Sequence, residues 1–119
     1  MEVSISAPVS ATEDPERVKS AICNLFPEAA VQAHPDRLEA SAHSLDMFRE
    51  LLKKQQIRDT ARQVLRHARR DHHLAFALNK QAAYAGAVNF AVVGHPLGVI
   101  QVTVEAEDPE ALIDWLTEI

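Results

Sequence analysis

Three short runs, Leu74-Ala75-Phe76-Ala77-Leu78, Val88-Asn89-Phe90-Ala91-Val92-Val93 and Gly98-Val99-Ile100-Gln101-Val102-Thr103-Val104-Glu105, decide the fold class. All three have strand length, and the last alternates Ile100, Val102 and Val104 with Gln101, Thr103 and Glu105, the period of a half-buried strand. The second and third are joined only by Gly94, His95, Pro96 and Leu97, which predicts a hairpin and an antiparallel meander. Helix and strand patterns do not alternate regularly along the chain. The expected class is therefore α+β, an antiparallel or mixed sheet with helices packed on one face, rather than a doubly wound fold.

Working outward, Glu2 to Val9 alternates Val3, Ile5 and Ala7 with Ser4 and Ser6 and predicts another strand. A helix follows. Asp14 can cap it, Pro15 suits its first position, Glu16 complements the helix dipole, and Val18, Ala21, Ile22 and Leu25 form one stripe closed by Phe26 and Pro27. The same grammar recurs at Glu107, Asp108, Pro109 and Glu110, ahead of the stripe Leu112, Ile113, Leu116 and Ile119. Ala29 to Ala33 and Leu38 to His43 read as short strands turned at His34, Pro35 and Asp36. From Ser44 the pattern is helical, with a first stripe of Leu45, Phe48, Leu51 and Leu52 and a second of Ile57, Ala61, Val64, Leu65 and Ala68. At ~100° per residue the stripes are roughly 160° out of phase, so the helix must break near Gln55 to Arg58.

At 119 residues and 47% hydrophobic side chains, the chain is expected to form a single domain over residues 1–119. Aromatics supply only 5%, which predicts a core of Val, Ile, Leu and Ala and few rings for base stacking. Trp115 is expected to add mass to the core or to a subunit contact. Cys23 is the only cysteine, which excludes an intramolecular disulfide and a multi-cysteine metal site, and its place beside Ile22 in an amphipathic helix predicts burial. Cytoplasmic residence fits this usage. No segment reads as a signal peptide, and no apolar run approaches the ~18 residues of a membrane span.

Charge is unevenly spread. The interval Lys53 to Lys80 carries eight of the twelve Lys and Arg residues against Asp59 and Asp71, a cationic element on a chain of formal charge −5. Arg58, Arg62, Arg66 and Arg69 fall on a stripe about 80° wide beside the second apolar stripe. Such a ridge, about 16 Å long, can track a phosphate backbone through bidentate guanidinium contacts, unless it is a solvated face or is paired with acids elsewhere. Asn79, Lys80 and Gln81 close a predicted strand and extend the candidate surface. His67, Asp71, His72 and His73 invite a metal reading, but their spacing supplies no third ligand, and the histidines are better explained as ending a helix. Three scattered glycines form no phosphate-cradling loop. No catalytic residue, metal or cofactor is assigned.

The chain resembles an archaeal family of uncharacterised proteins, number two hundred and one, described as RNA-binding. The resemblance is nearly full length and rests on Ala7-Pro8-Val9, then Thr12-Glu13-Asp14-Pro15 with Val18, Ala21 and Ile22, and Asn24-Leu25-Phe26-Pro27. It continues through Gln56-Ile57-Arg58-Asp59-Thr60-Ala61-Arg62, Asn79-Lys80-Gln81-Ala82-Ala83 with Gly86, and Asp114-Trp115-Leu116. It implies a fold like that of ribosomal protein L-five and, residue by residue, a role for Arg58, Arg62, Asn79, Lys80 and Gln81; Arg66 and Arg69 join them on helical geometry alone. The expectation is a non-enzymatic module that contacts structured RNA through its backbone. The alternative is a protein-interaction or homo-oligomeric module that sets the ridge against an acidic partner or a second copy.

Overall fold

In the computed structural model, which describes residues 1–91 and 98–118, six strands and five helices form one α+β unit. The strands are β1 (Glu2–Pro8), β2 (Ala30–Ala33), β3 (Arg37–Ala42), β4 (Arg69–Arg70), β5 (His73–Asn79) and β6 (Val99–Glu105). The helices are α1 (Pro15–Leu25), α2 (Asp46–Lys54), α3 (Arg58–Ala68), α4 (Lys80–Tyr84) and α5 (Pro109–Leu116). The sheet runs β2-β3-β1-β6-β5-β4, and every pairing in it is antiparallel. Alternation in the strands decides which face is covered. Val3, Ile5 and Ala7, Leu38, Ala40 and Ala42, Leu74, Phe76 and Leu78, and Ile100, Val102 and Val104 are buried in the core, while Ser4, Ser41, Ala75 and Gln101 lie on the open face.

The predicted meander is corrected. β5 pairs directly with β6, from His73 opposite Glu105 to Asn79 opposite Val99. With β1 on its other side, β6 has no free edge for residues 88–91. That segment instead reaches the outer edge of β5, where Phe90 forms a single bridge with Leu78, Asn79 N–H donates to Asn89 O (2.7 Å) and Ala91 N–H donates to Ala77 O (2.9 Å). The remainder of the predicted strand, Val92 and Val93, and the turn at Gly94 to Leu97 lie outside the described residues.

Both Asp-Pro starts behave as expected. Asp14 Oδ1 accepts from Glu16 N–H and Asp108 Oδ1 from Ala111 N–H, with proline inside each first turn. The break between α2 and α3 is a Schellman turn. Gln56 adopts φ +58°, its N–H donates to Lys53 O, and Ile57 N–H donates to Leu52 O. This reversal lets Phe48 and Leu52 on one helix and Ala61 and Leu65 on the next all be buried in the same core. Gly86 (φ +75°) follows α4, with nothing within 4 Å of the position a Cβ would take. Gly86→Ala should therefore cost about 1–2 kcal/mol, from backbone strain rather than from a clash, as read by the urea midpoint.

The core is made chiefly of Val, Ile, Leu and Ala, as expected, with the phenylalanines gathered in one place within it. Phe48 lies 6.0 Å from Phe26, 5.7 Å from Phe76 and 6.4 Å from Phe90, centroid to centroid, so all four share one cluster. Cys23, expected to be buried, is half-buried, and Trp115 is 37% exposed and so is not a core residue. Of the histidines expected to end a helix, only His67 sits in the last turn of α3; His72 lies in the turn before β5, and His73 begins that strand. No helix among the described residues is long and apolar enough to cross a membrane.

Candidate nucleic-acid interface

The fold lays acidic side chains beside the arginines expected to form a ridge. Arg58, Arg62 and Arg66 project from α3, and Arg69 begins β4 immediately beyond the helix. α5 packs beside α3. Arg62 Nη1 meets Asp114 Oδ1 at 3.2 Å, Arg69 Nη1 meets Glu110 Oε1 at 2.8 Å, and Arg66 Nε lies 3.9 Å from Glu110 Oε2. Arg58 Nη1 donates to the backbone oxygen of Glu118 at 2.7 Å. The origin is visible in composition: Glu105 to Glu118 holds six acidic residues and no basic one, and it docks on the most basic helix. The side chains of these ion pairs are between 28% and 60% accessible, so each pair contributes about 0–1 kcal/mol.

Arg49 was not among the residues singled out from sequence. It stands one turn before Lys53 on α2, its guanidinium 5.0 Å above the Trp115 ring, and its Nε donates to Trp115 O at 2.9 Å. Its Nη2 also meets Glu118 Oε2 at 3.3 Å. The signal available was the four-residue spacing of Arg49 and Lys53, which puts both on one helix face. Arg70 turns away from the ridge and donates to His67 O and Arg69 O at the end of α3.

The Asn79–Gln81 block is placed elsewhere, on α4, which packs against α1 and β5. Asn79 is the N-cap of α4, its Oδ1 accepting from Ala82 N–H at 3.0 Å. Lys80 is 1% exposed; its ammonium donates to Pro8 O at 2.6 Å and meets both carboxylate oxygens of Glu13 at 3.2 Å. Tyr84 OH donates to the same carboxylate, and the Arg17 guanidinium covers the Tyr84 ring at 5.1 Å. Partial burial pushes the Glu13 carboxyl up, but the Ser10 N–H, Lys80 and Tyr84 OH outweigh it and hold the group below its ordinary range. Partial burial and the Glu13 charge push the Tyr84 phenol up. Lys80 thus holds the β1–α1 loop to α4 and Asn79 caps that helix, while Gln81 alone of the three is exposed.

A family model described as RNA binding matches residues 2–106. A UPF0201 protein of Methanothermobacter thermautotrophicus is 42% identical over 117 residues, covering 96% of this chain and 89% of the relative. This chain belongs to the UPF0201 family. The UPF0201 chain also superposes on the crystal structure of an uncharacterized UPF0201 protein with TM-score 0.95 at 32% identity, covering 100% of this chain and 94% of that one. A UPF0201 structure from Methanococcus jannaschii, solved at 2.2 Å, matches with TM-score 0.92 at 38% identity over the same shares. The expected family resemblance is therefore correct along the chain.

Proposed function

We infer that this UPF0201 protein is a non-enzymatic, cytoplasmic module that binds structured RNA through phosphate contacts along Arg58, Arg62, Arg66 and Arg69, on a fold of the ribosomal protein L-five kind. One observation carries the reading: the segment matched as RNA binding, residues 2–106, contains the whole ridge, while the acids that pair with it, Glu110 and Asp114, lie beyond it. Phosphates replacing those weak, exposed pairs would gain forked guanidinium contacts at little cost. Gln81 is exposed on α4, apart from the ridge, and Asn79 and Lys80 have structural roles there. Recognition rests on shape and charge rather than base stacking, because Phe26, Phe48 and Phe76 are buried and Trp115 lies beneath Arg49.

Binding of a labelled RNA hairpin is expected to fall steeply with salt. Replacing Arg58, Arg62 and Arg66 by Ala should weaken it and flatten the logarithmic salt slope by about 0.7–0.9 per lost phosphate contact. Absence of binding at low salt, or an unchanged slope in the triple variant, rejects the reading. The alternative, a protein-interaction or homo-oligomeric module, is favoured by the open sheet face, where Ser4, Ser41, Thr103 and Ala75 line up across four strands with small side chains. A concentration-dependent dimer insensitive to salt, seen by sedimentation, would support it.

A further inference from the structure

Where α2 meets α3, Arg49, Lys53 and Arg58 line a recess of about 270 Å³ together with Leu116 and Glu118. Three oxygens already occupy its donors: Trp115 O on Arg49 Nε, Glu118 Oε2 on Arg49 Nη2, and Glu118 O on Arg58 Nη1. Three cations from two helices therefore converge on one carboxylate and two carbonyls. The Lys53 side chain makes no ion pair or hydrogen bond among the described residues, so the recess holds more positive charge than its internal occupant neutralises. The Schellman turn at Gln56 fixes this convergence, because it sets the start of α3 against the end of α2.

We propose that this recess is a binding site for a phosphate group, with the Glu118 carboxylate as a displaceable internal occupant. A phosphate presents several oxygens to the forked donors of Arg49 and Arg58 and takes up the charge of Lys53, whereas Glu118 satisfies only part of that set. Glu118 is 67% exposed at the rim, so its carboxylate can swing into solvent without unpacking α5, whose hold on the core is through Pro109, Ile113 and Leu116. The group can be free phosphate or the terminal phosphate of an RNA strand; the second source rests on the RNA reading above.

The full chain is titrated with inorganic phosphate at constant ionic strength, following the fluorescence of Trp115, whose ring lies under Arg49. A saturable change is expected, tightened about two- to fivefold by Glu118→Gln and weakened about two- to fivefold by Lys53→Ala, the range that one exposed charge contributes. A 5′-phosphorylated RNA hairpin should then bind more tightly than its 5′-hydroxyl twin, and Lys53→Ala should erase the difference. No saturable phosphate response in either the parent chain or Glu118→Gln overturns the site, whatever RNA does. Phosphate saturation without RNA binding keeps the site and rejects the RNA reading. RNA binding with equal affinity for the two hairpins, alongside phosphate saturation, assigns the recess to free phosphate.

Discussion

Glu13→Ala is expected to destabilise the fold by about 3–5 kcal/mol, because it removes the carboxylate that pairs with the buried Lys80 ammonium. The double variant Glu13→Ala, Lys80→Met should be milder than Glu13→Ala alone, since the second change removes the buried charge along with its carboxylate. Urea unfolding of the three variants decides the point; a cost below about 1 kcal/mol for Glu13→Ala would mean that the pair is not what ties the β1–α1 loop to α4. The pair also writes a pH signature. The folded carboxyl titrates below its ordinary 4.5, so its contribution is complete above that value and is lost as pH falls through the folded one. Glu13→Gln should accordingly lose stability less steeply than the parent chain below pH 4.5.

Phe48→Ala is expected to cost about 3–5 kcal/mol, the usual range for removing a buried phenyl ring from a packed core. Phe48 is 0% exposed, and its ring contacts Phe26, Phe76 and Phe90, which come from the end of α1, from β5 and from the segment beyond α4. It is also the inward anchor of the helix that carries Arg49 and Lys53 outward. Thermal unfolding measures the loss. In the fraction that stays folded, hydrogen exchange should rise first in α2, since that helix has only Phe48 and Leu52 fully buried. Phe48→Leu keeps most of the volume and should recover more than half of the loss.

Local chemistry was legible in the sequence and distant pairing was not. Asp14-Pro15 and Asp108-Pro109 announce helix starts because cap and first turn are contiguous, and the two out-of-phase stripes locate the turn at Gln56 although Gln gives no glycine-like signal for a left-handed residue. Alternation places Ile100, Val102 and Val104 inward, but it cannot say which strand lies beside β6. A short linker suggested residues 88–93, and the long register of β5 took the place. The candidate site divides in the same way. The ridge follows from four-residue spacing, whereas its partners at Glu110, Asp114 and Glu118 are some fifty residues away in sequence. Lys80 reads as a surface cation by type, and its pairing with Glu13 and Pro8 O, both distant in sequence, helps to offset its burial.

The strand order has a consequence for how the molecule is made. The first strand of the chain sits mid-sheet and pairs with the last, Val3 opposite Val104 and Ile5 opposite Val102. As the chain leaves the ribosome, β1, β2 and β3 can form an early three-stranded unit, but one edge of β1 stays bare until Val99–Glu105 has been synthesised. Closing a loop of that length adds an entropic cost and slows nucleation relative to neighbouring hairpins. A ribosome stalled before Val99 would display an unpaired β-edge flanked by Val3, Ile5 and Ala7, a surface that recruits chaperones or other nascent strands.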